Sequence, residues 1–113
     1  MKKLSLIASI LLLTASAGWA QAKKALETVT IATPSVQCEM CKKRIESFLA
    51  KEEGVTKSVV DYKKKQTKVT YYTDRTNVEN IKTAIANVGY DAGDVSANEE
   101  SYNKLPKCCK KPD

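Results

Sequence analysis

From residue 28 onward the apolar positions follow two alternating periods. Thr28-Val29-Thr30-Ile31-Ala32-Thr33 puts Val29 and Ile31 on one face, the period of a half-buried strand, and Pro34-Ser35 breaks it. Cys41, Ile45, Phe48 and Leu49 then recur at helical spacing, with Lys42, Lys43, Arg44, Glu46 and Lys51 off that stripe. Gly54, just past Glu53, predicts a left-handed helix stop. Val55 to Tyr62 reads as a second strand and Thr67 to Thr73 as a third, with Val69 and Tyr71 on one face. Lys63-Lys64-Lys65-Gln66 joins them, which predicts an antiparallel hairpin, but the connection has no Gly or Asn to declare its turn type. Thr76-Asn77-Val78-Glu79 has the form of a capping box, and Val78, Ile81, Ile85 and Val88 continue as a second helix that Gly89 ends. Ala92 to Ala97 predicts a short fourth strand around Val95. Asn98 to Leu105 predicts a short polar helix stopped by Pro106, and residues 107–113 a mobile tail.

The order strand, helix, strand, strand, helix, strand predicts an α+β domain. Two helices whose apolar stripes face one way can cover one face of a four-stranded antiparallel sheet, the ferredoxin-like βαββαβ arrangement. Residues 1–22 stand apart from it. Lys2 and Lys3 precede the apolar run Leu4 to Leu13, and small residues follow to Ala20-Gln21-Ala22, the order of a secretory signal peptide. The run is too short for a membrane span of about 20 apolar residues. The expected organisation is a signal peptide at 1–22, a domain at 23–97 and a tail at 98–113. The expected location is the periplasm, with no stable membrane insertion after cleavage.

Loss of the signal lowers the formal net charge from +6 to +4, because only Lys2 and Lys3 leave with it. The remaining positive charges are interleaved with Glu and Asp and with few aromatics. That pattern suits a solvated surface or an acidic protein partner and gives no nucleic-acid stripe. No Ser/His/Asp set, Cys/His pair or phosphate-cradling Gly-rich loop is present, so nothing supports an enzyme. With four Cys and no His, any metal site must lean on sulfur. Export would place those thiols in an oxidising compartment, where a disulfide competes.

The strongest chemical signal is Cys38-Glu39-Met40-Cys41, between the first strand and the first helix. A helix N-terminus offers unpaired N–H groups and partial positive charge, which favour thiolate, the metal-binding form. Lys42, Lys43 and Arg44 add nearby positive charge. Three residues apart, the two sulfurs can converge on one ion as a solvent-facing pincer. Two thiolates without a nitrogen or oxygen ligand favour soft ions, Cu(I) or Hg(II), over Zn, which prefers four ligands. Met40 carries a soft thioether that could assist, although Met is also common filler. The rival readings are a thiol-disulfide oxidoreductase using the same CxxC, and a structural disulfide.

These residues resemble the heavy-metal-associated domain family of copper chaperones, copper ATPase N-terminal modules and the periplasmic mercury-resistance carrier. The resemblance runs from about Thr28 to Ala97. It rests on Cys38-x-x-Cys41 after the first strand, Gly54-Val55 opening the second, and Gly89-Tyr90-Asp91-Ala92 closing the second helix. It implies the ferredoxin-like fold, two-coordinate thiolate binding, and transfer of the ion by ligand exchange to a metal transporter or metal-pumping ATPase domain, by a chain acting as a monomer. It also implies that the loop bearing Tyr90 lies close to the metal. The sequence departs from the family where Ser35-Val36-Gln37 replaces the usual Gly-Met-x ahead of Cys38, with Val36 able to plug the core in place of Met.

Cys108-Cys109 lies outside that resemblance. Lys104, Lys107, Lys110 and Lys111 surround it and favour thiolates. The pair reads either as an auxiliary soft-metal site, lending a ligand to Cys38/Cys41, or as an exposed disulfide. Adjacent Cys residues are poorly placed to reach one tetrahedral ion together.

Overall fold

The computed structural model describes residues 25–112. The signal-peptide expectation for residues 1–22 lies outside them. Strand β1 (Leu26–Ala32) is followed by helix α1 (Glu39–Leu49), strands β2 (Val55–Asp61) and β3 (Gln66–Tyr72), helix α2 (Val78–Val88), a short helix α3 (Glu99–Asn103) and a 3-10 turn (Lys107–Cys109). The sheet order is β1-β3-β2, with both pairings antiparallel. The hairpin forms as expected, and its connection is closed by Lys65 at φ 58 without help from Gly.

One face of the sheet carries the core. Ile31, Val60, Val69 and Tyr71 meet Cys41, Ile45 and Leu49 of α1 and Ile81, Ala84 and Ile85 of α2. Phe48, expected on the buried stripe, is 41% exposed, whereas Val36 fills the core from the loop. Glu46 pins α1 to β2. Its carboxylate accepts the Val60 N–H at 2.8 Å and pairs with Lys42 at 2.8 Å.

Among the described residues, the fourth strand expected at 92–97 is not formed. Ala92 and Val95 bond each other, N–H to carbonyl in both directions at 2.9 Å, around Gly93 at φ 59. That tight turn uses the groups a strand would offer its neighbour. A single bond from Gly93 N–H to the Ala32 carbonyl, 2.8 Å, is what ties the segment to the end of β1. Two helix ends also differ from expectation. Helix α1 stops at Leu49, and Gly54, at φ 86, serves the turn into β2, where its carbonyl accepts the Tyr72 N–H at 2.8 Å. Helix α2 is capped by Asn77, whose side chain accepts the Asn80 N–H at 2.8 Å, while Thr76 is buried.

Gly89 does end α2 in the left-handed conformation, at φ 116. A Cβ there would lie 3.2 Å from the Ser101 carbonyl and the Tyr102 nitrogen of α3. Gly89→Ala therefore combines backbone strain with displacement of α3, and is expected to cost about 1–3 kcal/mol in urea unfolding. An unchanged midpoint would show that neither constraint acts.

Candidate metal centre

Residues 33–37 bring the chain from β1 to α1 in a tight bend. The Val36 N–H reaches the Thr33 carbonyl at 3.2 Å, and the Lys65 ammonium reaches the Val36 carbonyl. Cys38 is the N-cap residue in extended conformation, and Cys41 lies in the first turn of α1. Their sulfurs converge at 3.4 Å. Cys38 is half-buried, and Cys41 is fully buried as the first member of the apolar stripe.

This is not the open pincer expected from the sequence. The C-terminal residues fold back over it, so the expected free tail is a docked segment. Leu105 enters the core, and Lys107–Cys109 forms a turn closed by the Cys109 N–H on the Pro106 carbonyl at 2.8 Å. The segment is held further on by the Lys111 N–H on the Tyr102 hydroxyl, 2.7 Å, and by Lys111 on Asp91, 3.0 Å. Cys108 Sγ then stands 3.3 Å from Cys38 Sγ, and Cys109 Sγ 3.9 Å from it. The sulfurs of Cys38, Cys108 and Cys109 all lie within 4.8 Å of one another. Adjacency in sequence does not prevent Cys108 and Cys109 from converging, because the 3-10 turn presents both to Cys38. Met40 is 47% exposed, with its thioether 3.9 Å from Cys108 Sγ.

Tyr90 sits beneath the cluster. It is fully buried, and its hydroxyl has no hydrogen-bond partner of ordinary geometry. Burial first, and then the adjacent sulfurs of Cys109 and Cys41, hold the phenol in its neutral form. It is thus a fully buried core aromatic and also a neighbour of the sulfurs.

The sulfurs differ in acidity. Partial burial by itself raises the Cys38 pKa. The N–H groups of Cys41 and Met40 and the thiols of Cys108 and Cys41 outweigh it and bring Cys38 from 9.0 to about 7. The helix-start N–H groups act as a field here, since no side-chain cap bond of regular geometry forms at Cys38. Lys42 contributes less than the sequence suggested, because it is engaged by Glu46. Cys109 is pushed up, first by burial and then by the Cys41 thiol. Cys108 is raised, first by the Cys38 thiol.

Because the folded protein lowers the Cys38 pKa, its thiolate stabilises the fold fully above the unfolded value, and that contribution is lost as pH falls through about 7. Iodoacetamide should label Cys38 of the metal-free, reduced protein with half its limiting rate near pH 7, and Cys109 far more slowly. A midpoint near 9 for Cys38 would contradict this electrostatic account.

The heavy-metal-associated domain model matches residues 30–91. A copper-exporting P-type ATPase of Staphylococcus aureus (strain Newman) is 34% identical over 80 residues, covering 71% of this chain but 10% of the ATPase. Among solved structures, the CopZ metallochaperone superposes with a TM-score of 0.56 at 30% identity, covering 58% of this chain and 98% of that one. The mercury-bound form of MerP, the periplasmic protein of the bacterial mercury detoxification system, gives 0.54 at 33% identity, with 61% and 96% coverage. The chain belongs to the heavy-metal-associated domain family, a class of metal-binding domains and not of enzymes. It spans about a tenth of the ATPase's length. Among the described residues, no helix is long and apolar enough to cross a membrane.

Proposed function

We propose that this protein is an exported carrier of a soft metal ion, Cu(I) or Hg(II), which it grips through Cys38 and Cys41 and passes by ligand exchange to a metal transporter or metal-pumping ATPase domain. The observation that carries the reading is the 3.4 Å approach of the two sulfurs at the start of α1. That geometry pairs two polarisable donors with a helix-end field that favours the anionic form of Cys38. A two-sulfur, nitrogen-free site favours soft ions over Zn.

The relatives support the choice of cargo. One is a copper exporter and another a mercury-bound detoxification protein. Export is supported by the charged, apolar, then small order of residues 1–22 and by the periplasmic setting of MerP. Handover is supported by a shallow groove beside the site, where exposed Met40 and Phe48 are rimmed by Lys43, Arg44 and Lys51. An apolar centre with a basic rim suits a partner with an acidic rim, docking as a monomer, and high salt would slow that encounter. A dithiol oxidoreductase working through the same pair gains no support from these relatives.

Anaerobic titration of the reduced protein with Cu(I), and separately with Hg(II), tests the reading by native mass spectrometry. One tightly held ion per chain is expected, with none retained by the Cys38→Ser/Cys41→Ser variant. Absence of binding, or binding that survives the double substitution, would refute it.

A further inference from the structure

Cys108-Cys109 has no place in a two-sulfur grip, yet the structure builds it into the site. The docking is specific at four points. Leu105 is buried in the core, the Cys109 side chain is fully buried, Lys111 pairs with Asp91, and the Lys111 N–H is taken by the Tyr102 hydroxyl. Packing alone accounts for Cys109, since a buried thiol is a good small apolar filler. It does not account for Cys108, which is exposed and stands 3.3 Å from Cys38 Sγ. The Tyr90 hydroxyl, buried and unpartnered against the Cys41 and Cys109 sulfurs, is a second independent feature.

We propose that Cys108 and Cys109 are metal ligands, and that the C-terminal segment closes over the Cys38/Cys41 pair so that a bound soft ion is held by at least three sulfurs, those of Cys38, Cys108 and Cys109. The inference rests on the soft-metal reading of Cys38 and deepens it. Distances favour it. A trigonal ion with metal–sulfur bonds of about 2.3 Å keeps its sulfurs about 4 Å apart, whereas a linear ion needs about 4.6 Å. Here the Cys108 and Cys109 sulfurs stand 3.3 and 3.9 Å from that of Cys38, and all three lie within 4.8 Å of one another. Each sulfur that is still protonated gives its proton to solvent as it takes the metal, so the three-sulfur site releases at most three protons per ion. Lys107 and Lys110, flanking the pair in sequence, offset part of the surplus negative charge.

The closed shell changes what the carrier does. A two-sulfur site leaves open positions where an incoming thiolate can attach. A site filled by the cap does not, so handover requires the segment to lift away. The chain then retains its ion until the cap opens.

X-ray absorption on the full, reduced chain loaded with one equivalent of Cu(I) reads the sulfur count directly. Three or more sulfurs are expected in the wild type, falling to two with shorter bonds in Cys108→Ser/Cys109→Ser. A competing chelator should strip Cu(I) from that variant at a concentration at least tenfold lower. Because Cys109 is buried, Cys108→Ser alone, at an exposed position, provides a variant that keeps the core intact. It should also lose one sulfur. Two sulfurs in the wild type, or a count indifferent to Cys108, would overturn the cap while leaving the Cys38/Cys41 carrier standing. Loss of all binding in the wild type would instead overturn the carrier reading.

Discussion

Cys38→Ser is expected to weaken soft-metal binding by about a hundredfold or more. Cys38 is the hub of the cluster, with three sulfurs 3.3, 3.4 and 3.9 Å from its own. It is also the thiol that the helix start and its neighbours bring to about 7. Structural thiolate sites yield roughly 10–16 kcal/mol from about four ligands, or about 3 kcal/mol each, which corresponds to about two orders of magnitude. Serine preserves size but offers a hard oxygen that stays protonated, so the loss is not recovered by a substitute ligand. Competition against a chelator of known affinity measures it. A change below about threefold would mean that the ion sits elsewhere.

The second large effect is on stability. Ile45→Ala should destabilise the metal-free protein by about 2–5 kcal/mol, because Ile45 is fully buried and the sheet and helix α2 leave little room to collapse around it. Such a loss is a large part of the 5–15 kcal/mol that typically holds a domain together. In a domain of this size it should lower Tm by roughly 10 °C or more. Ile45 stands one turn beyond Cys41 on the same stripe, so the residue that anchors α1 also fixes the base of the sulfur cluster. Equilibrium urea unfolding checks it, and a loss under about 0.5 kcal/mol would show that the α1 stripe is not the core.

The main elements were legible because their periods are strong. Ile31, Val69 and Tyr71 alternate as strand residues must, and Cys41, Ile45 and Leu49 repeat as a helix face must, so their burial follows from pattern alone. The position of Cys38-x-x-Cys41 at the strand-to-helix junction was visible for the same reason. The alternation around Val95 was too short to specify a strand, and the Gly93 turn took the backbone groups that pairing would have used. At the start of α2 two good capping residues stand side by side. Burial of Thr76 left the cap to Asn77, a choice of tertiary origin.

The docked C-terminus was the least legible part of the site. Its residues are polar, lack a period, and follow a Pro, which is the ordinary signature of a free tail. What fixes it is distant in sequence. Asp91 binds Lys111, Tyr102 receives the Lys111 N–H, and Cys38 waits 70 residues before Cys108. Leu105, an isolated apolar residue just before Pro106, was the available hint, and it is buried. The cluster of lysines around Cys108-Cys109 marked the pair as chemically interesting without saying where it would land.

The most direct test maps which thiols a bound ion shields. Reduced protein, metal-free or loaded with one equivalent of Hg(II), is alkylated at pH 7.5 and each cysteine's rate is read by peptide mass spectrometry. Soft-metal capture at the start of α1 predicts that Cys38, the accessible thiol of the pair, becomes strongly protected on loading; unchanged labelling of Cys38 in the loaded protein would contradict it.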